Sequence, residues 1–305
     1  MKAEENKLYG LTTLAALLSV MDITEEELSD AIKGGYQCYK KIKNEKSRLI
    51  EAPCDKLKKI QRIINDCLQD FDCPEYVMYA WKGRNALLNA KTHIGQFSYL
   101  TMDIAHYSPN TKTKYIREFF ENILKIKGDA LETMIKLTTL NDHLPTGAPT
   151  SPILAYLSHK KLFDEIYEHM KKKDILYTLL ADDITLSAKH GITKEEVRFV
   201  ASVIGRHGLR LKKKKTKFYS YKKALITGFY VLQCGRISVP YKIARNIIGI
   251  LKEKPIKDMN KYELKRLGGY VNYQRLSDKK SFLTTKMKIK RQLKKLAKIE
   301  QQKGI

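Results

Sequence analysis

The chain has 305 residues, room for one large domain or two to three subdomains, and 43% of them are hydrophobic, enough for a real core. Lys plus Arg outnumber Asp plus Glu by 58 to 33, a net charge of +25 that asks for a polyanionic partner, nucleic acid first and a membrane surface second. No run of 18 apolar residues or signal-peptide pattern occurs, and five cysteines without a Cys-x-x-Cys pair exclude a disulfide framework or zinc site and fit a reducing cytoplasm.

Residues 7–33 read as two short helices, with Leu14, Leu17, Leu18 and Met21 on one stripe. Thr24 and Glu27 have capping-box spacing for the second helix, and Gly34-Gly35 ends it. Segments 36–42 and 48–52 read as strands around the polar turn 43–46. Pro53 precedes a helix with Leu57, Ile60, Ile63, Ile64 and Cys67 on one face. Lys82-Gly83-Arg84 sets a glycine between two cations, suited to a phosphate contact or to a plain surface turn.

Residues 98–104 alternate. Leu100, Met102 and Ile104 point one way, and Thr101 and Asp103 point to the polar face. Residues 144–152 form a loop punctuated by proline and by Gly147, where backbone N–H groups can approach a ligand. The loop leads into an apolar helix with Leu154, Leu157, Leu162, Phe163 and Ile166.

In residues 176–187 two β-prone runs flank Asp182-Asp183, which places the pair at the tip of a hairpin. Adjacent buried carboxylates are costly without a partner, and Mg²⁺, which prefers oxygen ligands, is the natural one. A solvated Asp-Asp turn is the plain alternative.

A helix is expected over 193–204. Residues 205–223 then carry Arg206, Arg210 and seven lysines without an acid. Leu209, Leu211, Phe218, Tyr219 and Tyr221 interleave with them, so the block reads as folded and lying against phosphate. A strand over 224–232 holds Ile226-Thr227-Gly228, and a short strand over 236–239 follows the turn at Gly235. The remainder is mostly helical. A helix over 284–302 carries Lys286, Lys288, Lys290, Arg291, Lys294, Lys295 and Lys298 around a thin stripe of Met287, Ile289, Leu293 and Leu296. It suits a nucleic-acid backbone, with a coiled coil or membrane-surface helix as the competing reading. No repeat or low-complexity linker is present.

Three acids on a strand and a hairpin, with a Gly-Pro loop between them and a lysine block after, have the layout of a two-metal phosphoryl-transfer site. Such chemistry needs carboxylates bridging ions about 3.5–4 Å apart. In these motifs, over roughly 36–300, the chain resembles reverse transcriptases, retron reverse transcriptases in particular. Thr101-Met102-Asp103-Ile104 resembles the first catalytic motif, and residues 144–152 the family's Leu-Pro-Gln-Gly-Ala-Pro-x-Ser-Pro loop. Ala181-Asp182-Asp183 resembles the end of its Tyr-Ala-Asp-Asp box, and 208–216 the segment with a lysine near the triphosphate. Residues 39–62 resemble the fingers entry, and Lys82-Gly83-Arg84 the basic turn after it. Asn89-Ala90-x-x-His93 and Ile226-Thr227-Gly228 are similar to the retron Asn-Ala-x-x-His and Val-Thr-Gly signatures.

The resemblance implies an α+β right-hand polymerase: an N-terminal helical extension over 1–35, fingers and a palm with an antiparallel sheet over 36–235, and a helical basic thumb over 236–305. It implies two Mg²⁺ ions, with Mn²⁺ as a substitute, on Asp103, Asp182 and Asp183, with the Ile104 carbonyl as an additional ligand. Lys215 would serve the departing pyrophosphate. The dNTP would be met by Arg48, Arg84, Tyr107, Ser108, Thr146, Gly147, Leu180 and Ala181. RNA would be met by Asn89, His93, Thr227, Gly228, Lys286, Lys290, Arg291 and Lys294. The implied activity is RNA-directed DNA synthesis on a dedicated structured non-coding RNA, giving short RNA-linked DNA, in anti-phage defence with an effector protein and away from membranes.

Three positions depart from the family pattern. Leu180 stands for its tyrosine, Thr146 for its glutamine, and Ser108 for the aromatic that blocks a ribose 2′-OH. They keep open a defence reverse transcriptase of the abortive-infection kind, with template-independent or unusual-template synthesis, and a weakly active RNA-binding scaffold.

Overall fold

The computed structural model describes residues 2–43 and 46–302. Met1–Asn85 with Leu100–Phe218 form one compact unit, and Ala86–Tyr99 with Tyr219–Ile305 form a second.

The first unit opens with α1 (Leu14–Met21) and α2 (Glu25–Gly34). The capping box expected at α2 is formed: the Glu27 amide donates to the Thr24 hydroxyl at 3.1 Å, and the Thr24 amide to Glu27 Oε2 at 3.0 Å. Leu17, Leu18 and Met21 enter the core of the unit. β1 (Tyr36–Lys43) and β2 (Lys46–Pro53) pair antiparallel, with Tyr36 opposite Pro53 and Lys41 opposite Arg48. Residues 44 and 45 of the turn expected there lie outside the described residues. α3 (Asp55–Leu68) buries Leu57, Ile60, Ile64 and Cys67 as its periodicity predicts. It also buries Gln61, whose amide donates to the Tyr36 hydroxyl at 2.7 Å and the Leu137 carbonyl at 2.8 Å.

After α4 (Ala86–Thr92), β3 (Ser98–Asp103) takes an interior place in a sheet ordered β4-β5-β3-β6, with β4 over Leu176–Leu180, β5 over Asp183–Ala188 and β6 over Lys217–Ser220. The sequence predicts one polar face for β3. On that face Thr101 is half-buried, and Asp103 is only 3% exposed. α5 (Tyr107–Asn110), α6 (Thr113–Asn122) and α7 (Gly128–Thr138) follow. The apolar helix expected after residue 150 is two helices, α8 (Ser151–Ser158) and α9 (Lys160–Lys172). They break at His159, where φ of −117° leaves the helical region. α10 (Lys194–Gly205) is capped by Thr193. The core of this unit runs from Leu8 to Leu209 and includes Trp81, Tyr156, Phe163 and Tyr177.

In the second unit α4 packs with β7 (Ala224–Ile226), β8 (Phe229–Val231) and β9 (Ile237–Ser238). The single strand expected over 224–232 is a hairpin closed at Ile226 opposite Phe229. Thr227 and Gly228 turn it with φ of 44° and 93°, the left-handed pair a two-residue hairpin requires. α11 (Tyr241–Glu253), α12 (Lys261–Gln274) and α13 (Leu283–Gln302) enclose a small core of Ile247, Met259, Leu264, Leu267, Val271 and Ile289. Leu293 and Leu296 continue the buried face of α13, while Met287, two residues from Ile289 and so across the helix, is exposed. Among the described residues no helix is long and apolar enough to cross a membrane.

Candidate active site

Backbone pairing gathers the three acids. The hairpin β4–β5 closes at Leu180 opposite Asp183, leaving Ala181 and Asp182 as a two-residue turn with Ala181 at φ 55°. The Ile104 amide donates to the Asp182 carbonyl at 2.8 Å and ties the end of β3 to the hairpin tip. The lysine segment docks on β3 as well. The Lys212 amide donates to the Asp103 carbonyl at 2.8 Å, and the Ala105 amide to the Arg210 carbonyl at 2.7 Å.

The side chains form a compact charge cluster. The Lys215 ammonium donates to Asp103 Oδ2, and the Lys212 ammonium lies against Oδ1 and 3.8 Å from Asp182 Oδ2. Burial pushes the Asp183 carboxyl up to about 6, and the Asp182 and Asp103 charges push the same way against the two lysines. The bond to Asp103 holds the Lys215 ammonium above its usual range. As placed, the acids serve these lysines: among the described residues no three His, Cys, Asp or Glu side chains surround a point that could hold a metal ion. The donor chemistry nevertheless fits a hard divalent cation. All three groups are carboxylates, Asp103 is buried with only lysine ammoniums on its oxygens, a place a cation could take, and Asp183 gains proton affinity from its two acidic neighbours.

The surrounding residues divide. Leu180 and Ala181 pack partly buried against the core of the first unit. Tyr107 is buried, and its hydroxyl donates to the Ala155 carbonyl at 2.7 Å. Ser108, next on α5, is half-buried. Arg48 is exposed on β2. Arg84, beside Gly83 at φ 84°, donates to the Glu75 carbonyl at 3.3 Å. Thr146 turns to the ribbon, donating through its amide at 2.8 Å and within 3.0 Å through its hydroxyl to Glu51 Oε2. The same hydroxyl lies 2.9 Å from the Leu49 carbonyl, and Glu51 also meets His143 Nε2 at 3.0 Å. A Cβ on Gly147 would stand 3.1 Å from the Glu51 carbonyl, so a glycine lets loop and ribbon close up. Sequence reasoning missed Glu51 and His143. The available signal was the single acid on two strands otherwise rich in Lys and Arg.

The model of the family described as reverse transcriptase (RNA-dependent DNA polymerase) matches residues 39–268, well over half of the chain. The chain belongs to the reverse transcriptase family. Its curated relatives include the retron Se72 reverse transcriptase of Salmonella heidelberg (strain 579083-10), 27% identical over 235 residues that cover 72% of this chain and 62% of the relative. The retron Ec86 reverse transcriptase of Escherichia coli is 30% identical over 183 residues, covering 59% and 57%. The chain thus spans about three fifths of the length of these relatives. Among solved structures, a telomerase from Candida albicans, in complex with a TWJ fragment of telomeric RNA, matches with a TM-score of 0.53. That match covers 82% of this chain and 56% of the telomerase at 10% identity, and speaks for the fold. The fold is α+β, of the right-hand polymerase type.

In this reverse transcriptase the two retron-like signatures meet. Asn89 Nδ2 donates to the Thr227 hydroxyl at 3.2 Å, and that hydroxyl donates to the Ala86 carbonyl at 3.0 Å. Gly228 faces the Tyr273 hydroxyl, which donates to its carbonyl at 2.9 Å. Asn89 and His93 are fully buried, and burial pushes the His93 imidazole down to about 3. Asn89 thus ties α4 to the Thr227 turn, and both side chains are buried inside the unit. By contrast Lys286, Lys290, Arg291 and Lys294 are all exposed on α13.

Proposed function

We propose that this reverse transcriptase is an RNA-directed DNA polymerase of retron type, copying a structured non-coding RNA into short RNA-linked DNA, in anti-phage defence with an effector protein. The observation that carries the reading is the tie between β3 and the hairpin, which gathers Asp103, Asp182 and Asp183 within reach of Lys212 and Lys215. In the functional partition we propose, fingers and palm occupy 36–235 and the thumb 236–305, after the extension over 1–35. The separate apolar core of α11, α12 and α13 supports the thumb assignment.

Asp103, Asp182 and Asp183 would hold Mg²⁺, two ions in the working enzyme or Mn²⁺ in their place, with the Ile104 carbonyl as a further oxygen. Bound there, the metal supplies activation of the attacking 3′-OH and stabilisation of charge on the leaving pyrophosphate. The chain's own part is positioning and charge. Asp103, buried on an interior strand, gives one fixed anchor, and the turn at Ala181 aims the other two acids at it. Lys215, held above its usual range and half-exposed, stays protonated at neutral pH and is poised to neutralise or protonate pyrophosphate. Arg48 and Arg84 would meet the triphosphate, with Thr146 and Gly147 shaping the wall beside it. The exposed cations of α13 would grip RNA phosphates.

The test is the double substitution Asp182→Asn with Asp183→Asn. Mg²⁺-dependent DNA synthesis is expected to vanish while RNA still binds, and undiminished synthesis would sink the assignment. A second reading, synthesis on an unusual template or on none, is favoured by Leu180, Ser108 and Thr146. Sequencing the nucleic acid that copurifies separates the two: an RNA-templated, RNA-linked product against a free or protein-linked repeat.

A further inference from the structure

Phe97 and Tyr221 form a stack in the open. Their rings lie nearly parallel, 14° apart with centroids at 5.9 Å, yet Tyr221 is 71% exposed and Phe97 40%. Both belong to the second unit. The Tyr221 amide donates to the Phe97 carbonyl at 2.8 Å, so backbone and rings are fixed together. Tyr221 also sits at φ 50°, in the left-handed region that bulky residues avoid and glycine fills freely. Strain of this kind persists where the surroundings impose it, and it gathers at functional sites. An ordinary turn would gain from a glycine here, whereas this chain keeps a large aromatic ring pointing into solvent.

The charge around the pair identifies what the ring meets. No Asp or Glu occurs between Glu75 and Asp103, the stretch that contains Phe97, and none between Glu196 and Glu253, the stretch that contains Tyr221. Lys222 and Lys223 follow the tyrosine directly, both exposed, and Lys223 lies over the Tyr230 ring at 4.8 Å. An exposed aromatic face on two acid-free segments, with lysines directly beside it in the chain, is an arrangement that suits unpaired nucleotides, with bases on the ring and phosphates on the lysines. An acidic peptide would use the lysines and leave the ring idle. A paired helix would offer phosphates and no free base face.

We infer that Phe97 and Tyr221 are a stacking platform for an unpaired nucleotide of the RNA this protein binds, with Lys222 and Lys223 holding the flanking phosphates. The inference rests on the reading that the chain binds RNA. It assigns the contact to residues outside α13 and gives it a preference for single strand over duplex.

Binding of two RNAs by the full chain tests it: a single strand carrying 2-aminopurine, and a fully paired duplex of equal length. Tyr221→Gly relieves the left-handed strain while removing the ring. Its melting temperature should hold or rise, while single-strand affinity falls about tenfold, the scale of one stacked base, with duplex affinity unchanged. Tyr221→Phe should bind as the parent does and still quench 2-aminopurine fluorescence, and Phe97→Ala should weaken the single strand in the same sense. Lys222→Gln with Lys223→Gln should instead flatten the salt dependence of binding. Unchanged single-strand affinity in Tyr221→Gly overturns the platform, as does an equal loss for duplex and single strand. A loss confined to a DNA strand of the same sequence also overturns it, by showing that the occupant is DNA. Primer extension by the parent is scored separately. A parent that binds RNA but makes no DNA removes the polymerase reading and leaves the platform standing.

Discussion

At the scale of single residues, the place beside the nucleotide proposed for Ser108 carries a prediction about nucleotide choice. The neighbouring Tyr107 cannot stand in for an aromatic gate, because its ring is buried and its hydroxyl is spent on the Ala155 carbonyl. A ribose 2′-OH would therefore meet a small side chain. Single-nucleotide incorporation should show ribonucleotides used readily, and Ser108→Phe should raise the preference for dNTPs by roughly tenfold or more, the range of one added steric contact. Discrimination already strong in the parent refutes the idea. Thr146 makes a second case. Its hydroxyl is one of the donors on the buried Glu51 carboxylate, so Thr146→Val should cost about 1–3 kcal/mol in denaturant unfolding, the penalty for a buried acceptor left short of a donor. The three acids were legible in the sequence because their chemistry lies in residue type and order. Glu51 was not, because its meaning depends on His143 and Thr146, which reach it only once the distant loop and ribbon pair. Lys212 was seen as one charge in a block, and only the pairing with β3 distinguishes it from its neighbours.

At the scale of elements, local signals carried furthest where a side chain completes its own helix end. The box at Thr24 was legible in full, and the start of α10 was legible at Thr193. The structure adds Glu196 to that second cap. Burial pushes its carboxyl up, but its own amide, the amide and hydroxyl of Thr193, and the Lys173 ammonium outweigh burial and hold it at about 2. Its folded value thus lies below the ordinary 4.5, so its contribution is complete above pH 4.5 and is lost as pH falls toward 2. Glu196→Gln should lower the melting temperature at neutral pH and flatten its decline between those two values. A decline as steep as the parent's assigns acid sensitivity to other groups. The hairpin over 224–231 was less legible, because hydrophobic alternation does not register a left-handed turn. Thr227-Gly228 was the available signal. A Cβ on Gly228 would come within 2.6 Å of the Tyr273 hydroxyl at φ 93°. Gly228→Ala should therefore destabilise this unit by about 1–3 kcal/mol, and Tyr273→Phe in the same chain should restore part of the loss.

At the scale of the whole molecule, the acid cluster and the basic helix α13 occupy different parts of the chain. The three acids and the lysines that meet them lie within Leu100–Phe218, whereas α13 and the exposed aromatic pair belong to the other unit. The sequence made the basic surplus plain but not its division, since a run of lysines reads alike whether it meets an aspartate or solvent. Lys212 and Lys215 are engaged with Asp103, so the cations free for a phosphate backbone are those such as Lys286, Lys290, Arg291 and Lys294. Replacing these four with Gln should weaken binding of a structured RNA at every salt concentration. The slope of log affinity against log salt should become shallower by about 1 for each phosphate contact removed. The thin apolar face of α13 is untouched by these changes, so the fold should persist. Extension of a saturating short primer-template should also persist, because the acids and Lys215 are intact. Loss of extension together with RNA binding, at an unchanged melting temperature, would mean that α13 acts in the chemistry itself. An unchanged salt slope would place the RNA phosphates elsewhere on the molecule.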